Sequence, residues 1–221
     1  MNLSRYIDHT ILKPDATKAE VLAVCQEAVD HGFYSVCINP VHVPFVKEAL
    51  EATDVKVTAV IGFPLGASQT AVKAFETRRA LEEGADEIDM VMNIGALKDG
   101  DYEKVLRDIQ EVRKVLGKSN LLKVILETCL LNQDEKIKAC EIAKAAGAHY
   151  VKTSTGFSTG GATVEDVKLM KATVGDDVLV KASGGIRDTE KALAMIEAGA
   201  SRIGASASVA ILHGTEGSSA Y

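Results

Sequence analysis

Two short segments carry most of the chemical promise of this chain: Val151-Lys152-Thr153-Ser154-Thr155-Gly156 and Val180-Lys181-Ala182-Ser183-Gly184-Gly185. Each sets a lysine inside an apolar run, a hydroxyl two residues later and a glycine loop beyond it. A single strand lysine is as readily explained by a buried ion pair or by a stem that snorkels to water. Two of them, with Asp89 in a third apolar run, point to function. Burial and a neighbouring cation both disfavour an ammonium, which leaves a usable fraction of neutral amine. A neutral amine attacks carbonyls, and the resulting iminium draws electrons from the adjacent carbon–carbon bond. The expectation is Schiff-base chemistry without metal or cofactor, in which Asp89 moves protons and activates the water of the carbinolamine step. On spacing alone, a structural Asp89 paired with one lysine serves equally well.

Elements that could bring these groups together are legible as a repeated junction. HGFYSVCI (31–38), EGADEIDM (83–90), AGAHYVKT (146–153) and AGASRIGA (198–205) each read as a helix-ending glycine followed by a strand. Their glycines are 52, 63 and 52 residues apart, an interval that fits two strand–helix units. Four further strand-like runs, YIDHT (6–10), KVTAVIGFP (56–64), LLKVILET (121–128) and VLVKASGG (178–185), bring the strand count to eight. Between them, 101–116 reads as an amphipathic helix capped by Asp101 and ended by Gly117, and 133–146 as one opened by an Asn132/Glu135 capping box. Strict alternation predicts parallel strands with right-handed crossovers, hence a single-domain α/β (β/α)8 TIM barrel over 1–221. An open doubly wound sheet is the runner-up, but no G-x-G-x-x-G turn or P-loop supports it.

Active sites of such barrels lie at the C-terminal ends of the strands. That singles out Asp8, Cys37, Asp89, Glu127, Lys152 and Lys181, with alternation allowing Asp89, Lys152 and Lys181 to point inward. Cys37 reads more simply as a buried structural thiol than as a nucleophile. Gly184-Gly185 and Gly204-Ala205-Ser206 stand where barrel enzymes commonly hold phosphate on backbone N–H groups. The five histidines show no H-x-H or H-E-x-x-H spacing, which disfavours a zinc-dependent mechanism.

Composition narrows the partners. A net charge of −6, with 25 basic against 31 acidic residues, argues against nucleic-acid binding, and the absence of tryptophan leaves no stacking platform. No run approaches the ~18 apolar residues of a membrane span. The four cysteines form no C-x-x-C pair, and a reduced, soluble, cytoplasmic protein is expected.

With these residues in view, the chain resembles the deoxyribose-phosphate aldolase family along nearly its whole length. The resemblance rests on IDHTILKP, SVCINP, VIGFPLG, GADEIDMVMNIG, KVILET, YVKTSTGF, VKASGGIR and RIGAS. It implies a cytoplasmic class I aldolase of deoxynucleoside breakdown, acting reversibly on 2-deoxy-D-ribose 5-phosphate to yield acetaldehyde and D-glyceraldehyde 3-phosphate. By resemblance Lys152 is the Schiff-base residue, Lys181 the second lysine that perturbs it, and Asp89 the proton relay. Gly156, Gly184, Gly185 and Ser206 fall where the family holds phosphate, and Asp8, Cys37 and Thr155 complete the expected substrate-contacting set. A homo-oligomer, dimer or tetramer, is implied as well. Phe157 stands where some relatives carry a lysine, so one phosphate cation is missing. The Gly- and Ser-rich end (214–221) reads as a flexible tail whose Tyr221 could fold over the barrel mouth and protonate the enamine carbon. Two rival readings are a phosphosugar isomerase or synthase of the same fold and a non-catalytic sugar-phosphate sensor.

Overall fold

The structure is a computed structural model that describes residues 1–215 and 217. Each junction glycine has a positive φ, 65° at Gly32, 112° at Gly84, 83° at Gly147 and 114° at Gly199, and each is followed within three residues by a strand. The strands are β1 (Ile7–Ile11), β2 (Ser35–Ile38), β3 (Lys56–Ile61), β4 (Glu87–Val91), β5 (Leu121–Ile125), β6 (Tyr150–Lys152), β7 (Leu179–Ser183) and β8 (Arg202–Ala205). All pair in parallel in chain order, and β1 closes on β8 with Asp8 opposite Gly204. The expected (β/α)8 barrel is therefore the observed one.

Around it lie α1 (Lys18–His31), α2 (Val43–Leu50), α3 (Thr70–Glu82), α4 (Ile94–Lys98), α5 (Tyr102–Val115), α6 (Gln133–Ala145), α7 (Val164–Val174), α8 (Thr189–Glu197) and α9 (Ser208–His213). The Asn132/Glu135 capping box and the Asp101 cap form as read from the sequence. Gly117 does not end α5. Leu116 already leaves the helix in extended backbone, and the Gly117 N–H donates to the Asn120 side chain instead. The first strand starts at Ile7 because Leu3–Tyr6 winds into a 3-10 turn.

Strand alternation sorts the chemistry. One set of positions, including Val36, Ile38, Val57, Ile61, Ile88 and Met90, is buried in the apolar layer between sheet and helices. Each such side chain contributes about 1.5–3 kcal/mol of hydrophobic stabilisation. The opposite set is polar: Asp8, Ser35, Thr58, Glu87, Asp89, Lys123, Lys152, Lys181 and Arg202 are buried and bonded to one another across the barrel. Barrel interiors are ordinarily filled by branched apolar residues. Here the inside carries charge, and the outer layer supplies the hydrophobic stabilisation.

Candidate active site

Register decides who meets whom inside the barrel. Asp89 stands opposite Lys123, Lys152 opposite Lys181, and Lys181 opposite Arg202. The Nζ atoms of Lys152 and Lys181 both donate to the same oxygen of Asp89, Oδ2, at 2.8 Å each. Lys123 donates to the other oxygen at 2.8 Å and reaches Glu87 at 2.5 Å. Lys181 also lies 2.5 Å from Asp8. Arg202 spans Asp8 at 2.7 Å and Glu87 at 3.3 Å, with its guanidinium 3.5 Å above the Tyr34 ring.

This network fixes protonation states. Burial alone would push the Asp89 carboxyl up, but Lys123, Lys152 and Lys181 together outweigh it and hold it well below the usual range. Asp8 is drawn down likewise, burial being overcome by Lys181 and Arg202. Burial disfavours the Lys181 ammonium, yet Asp8 and Asp89 more than compensate and raise it above an ordinary lysine. Lys181 is therefore a held cation rather than a free amine.

A pH dependence of folding follows. Asp8 and Asp89 titrate lower in the barrel than in an unfolded chain. Their contribution to stability is full above about pH 4 and is lost as pH falls below it toward their folded values. The thermal midpoint should hold down to about pH 4 and then drop, as the unfolding free energy falls with a limiting slope of about 2.7 kcal/mol per pH unit for two protons. Calorimetry across that range checks it, and a decline beginning near pH 6 would show the carboxylates are not so held.

Above the charges lies a cavity of about 130 Å³. Lys152 lines it; Asp8, Asp89, Lys123, Lys181 and Arg202 do not. The rest of its wall comes from the C-terminal ends of four strands and the turns that follow: Thr10 and Leu12 at the end of β1, Thr155 and Gly156 after β6, Ser183 to Arg187 at the end of β7, and Gly204 to Ser206 at the end of β8. The β6 and β7 loops touch backbone to backbone. A Cβ on Gly161 would sit 2.1 Å from the carbonyl oxygen of Gly184, and the Ala162 N–H donates to the carbonyls of Ser183 and Gly184. An anion-sized group placed there meets the glycine loops, Ser206 and Arg187.

The sequence-derived set divides accordingly. Lys152, Asp89 and Lys181 come together, and Gly156, Gly184, Gly185 and Ser206 line the same cavity. Asp8 is placed beneath the cavity as the partner of Lys181 and Arg202, not on its wall. Cys37 packs with Leu12, Val60 and Phe63, also off the wall, and burial pushes its thiol up, away from thiolate chemistry. Thr155 is on the wall, but its N–H and hydroxyl both donate to the buried Glu127. Tyr221 lies outside the described residues.

Glu87, Lys123, Arg202 and Arg187 were not anticipated. The first three share the inward register of the anticipated residues, a signal present in Glu87-Ile88-Asp89 and in the lone lysine of LLKVI. Their pairing depends on the neighbouring strands, which alternation within one strand does not show. Among the described residues, no group of three or more His, Cys, Asp or Glu side chains is arranged to hold a metal ion, and no helix is long and apolar enough to cross a membrane.

Comparison with known proteins agrees over nearly the whole chain. The model of the family described as DeoC/LacD family aldolase matches residues 3–215. The deoxyribose-phosphate aldolase of Thermococcus gammatolerans is 63% identical over 217 residues, covering 97% of this chain and 96% of that protein. The one from Macrococcus caseolyticus is 60% identical over 221 residues, covering 100% of both. The solved tetrameric deoxyribose phosphate aldolase from Aeropyrum pernix superposes with a TM-score of 0.90 at 35% identity, covering 96% of this chain and 89% of that one.

Proposed function

Since the chain belongs to the DeoC/LacD family of aldolases, we propose that it reversibly cleaves 2-deoxy-D-ribose 5-phosphate to D-glyceraldehyde 3-phosphate and acetaldehyde, through a Schiff base on Lys152. The observation that carries this reading is the inequality of the two lysines that share Asp89. Lys181 is enclosed between Asp8 and Asp89, whereas Lys152 is the one that lines the cavity. The charge count points the same way. Three carboxylates, Asp8, Glu87 and Asp89, face four cations, Lys123, Lys152, Lys181 and Arg202. The layer is neutral when Lys152 carries no charge, and unpaired buried charge is costly.

In this reading the open-chain sugar places its C1 aldehyde at Lys152 Nζ and its phosphate against the glycine loops. The amine attacks C1, and water leaves with a proton relayed through Asp89 and the Lys181 ammonium. The C3 hydroxyl then loses its proton to the relay. Its oxygen forms a carbonyl as the C2–C3 electron pair moves into the C1–C2 enamine, and glyceraldehyde 3-phosphate departs. Protonation at C2 and hydrolysis of the iminium release acetaldehyde and restore the amine. Tyr221 is assigned the C2 protonation as part of the same proposal, as are a cytoplasmic setting and a homo-oligomeric state.

Borohydride trapping with acetaldehyde tests the mechanism and locates the residue. Reduction is expected to leave an ethyl group on Lys152, identified by peptide mapping. A label on Lys181 alone would reverse the two roles, and no label would remove the Schiff base.

Phosphate recognition offers a second check. The Phe157 ring, one residue beyond Gly156 of the cavity wall, meets Phe63 edge to face at 5.3 Å, and Arg187 lines the same wall. Phe157→Lys should add a charge-assisted contact of about 1–2 kcal/mol, roughly a tenfold gain in preference for 2-deoxyribose 5-phosphate over 2-deoxyribose. An unchanged ratio of the two kcat/KM values would show that the position does not face the phosphate.

A further inference from the structure

Glu127 is the one non-glycine residue with a positive φ among the described residues, at φ 57° and ψ 62°. A side chain in that left-handed region costs about 1 kcal/mol or more and persists where the surroundings impose it. The hydrogen bonds around it show what imposes it. The Leu126 N–H donates to the Lys152 carbonyl and the Thr128 N–H to the Thr153 carbonyl, at 2.9 Å each. Two residues of the chain leaving β5 thus match a single step of the chain leaving β6. Glu127 is the extra residue of a bulge, a device that re-aims a side chain next to a site.

The re-aimed side chain closes on the loop that follows Lys152. Glu127 is 2% exposed. One of its oxygens accepts from the Thr155 N–H at 3.1 Å and the other from the Thr155 hydroxyl. That hydroxyl in turn accepts the Phe157 N–H at 3.0 Å. Gly156 lies between these two anchored residues, with φ 87°, on the cavity wall. Thr155 therefore has no N–H left for an anion, and its geometry is set by the carboxylate below.

We propose that Glu127 is a positioning residue for phosphate: it clamps Thr155 through the β5 bulge and so fixes the Thr155–Phe157 turn, which presents Gly156 to the bound anion. This rests on the aldolase reading for the identity of the ligand, but not for its test. The effect also has a sign that electrostatics alone would invert. A carboxylate near a phosphate repels it, so neutralising Glu127 should tighten anion binding if charge were all it contributed. As a clamp, its loss should weaken binding.

Inorganic phosphate is the probe, titrated against the thermal midpoint of the full-length protein with no sugar or aldehyde present. Glu127→Gln and Thr155→Val should each weaken the apparent phosphate affinity about tenfold, the scale of losing a charge-assisted hydrogen bond. The double variant should lose no more than either alone, because both break the same clamp. Glu127→Gly, which suits the left-handed backbone, should behave as Glu127→Gln does and keeps the test open if that variant does not fold. With 2-deoxyribose 5-phosphate, the loss should fall mainly in KM. Tighter or unchanged phosphate binding in Glu127→Gln, additive losses in the double variant, or no phosphate response in the unaltered protein would each overturn the proposal. Failure of acetaldehyde trapping in the unaltered protein would instead strike at the Schiff base and leave the clamp standing.

Discussion

Replacing Lys152 by alanine is expected to reduce aldol cleavage on the order of 10⁴-fold or more, the scale on which the loss of a covalent nucleophile is felt. Neighbouring amines offer no rescue, because Lys181 is enclosed by Asp8 and Asp89, and Lys123 by Glu87 and Asp89. The fold should survive the change. Without Lys152 the interior holds three cations for three carboxylates, and the lost side chain, though buried, borders the cavity. A melting curve that stays level while turnover vanishes is the expected pair of results. Residual cleavage within about 100-fold of the unaltered protein would assign the imine elsewhere or dispense with it, since acid–base catalysis alone contributes only about 10²–10⁴.

Lys181→Leu should be nearly as damaging to turnover, for a different reason. Removing that cation leaves three carboxylates facing Lys123, Arg202 and Lys152, so the buried layer becomes neutral only when Lys152 carries its proton. Imine formation should then be slower than in the unaltered protein. At neutral pH turnover should fall about 10²–10³-fold, with loss of a proton donor included. Stability should fall by about 3–5 kcal/mol, because Asp8 and Asp89 each lose a buried partner. The rate of borohydride trapping with acetaldehyde separates this account from simple unfolding: labelling should slow in whatever fraction remains folded. An unchanged labelling rate in that fraction would mean that Lys181 takes no part in setting the charge on its neighbour.

Much of this was legible in the sequence because barrels repeat themselves. The helix-ending glycines, the capping box at Asn132 and the apolar strand runs are local signals, and local signals gave the strand count and the closed topology. Lys152, Lys181 and Asp89 were visible because each interrupts an apolar run, and both lysines are followed by a hydroxyl and a glycine loop. The counter-charge set was not. Glu87 and Lys123 carry the same alternation signal, but which buried charges neutralise which is decided by register across the barrel axis, and a one-residue shift between strands would redistribute every pair. Glu127 was visible as a polar residue closing a strand. Its bulge was not, because the insertion exists only relative to the neighbouring strand. Thr155 reads as a substrate contact for the same reason, since nothing in KTSTG shows that a carboxylate from another strand claims its donors.

The closure of β1 on β8 has a consequence for how the enzyme is born. Asp8 and Arg202, bonded at 2.7 Å, lie 194 residues apart in the chain, and Asp8 also encloses Lys181. Contacts of such long range are the slowest to form in folding, because closing so long a loop costs the most chain entropy. On a ribosome, the carboxylate of the first strand can be met early by the Ser35 hydroxyl, but its charge partner Arg202 arrives only with β8. Lys152 is thus set in its finished electrostatic surroundings only once β8 has joined the barrel. Recovery of aldehyde trapping during refolding should therefore report the final closure of the ring, lagging the helical signal that earlier, local segments restore.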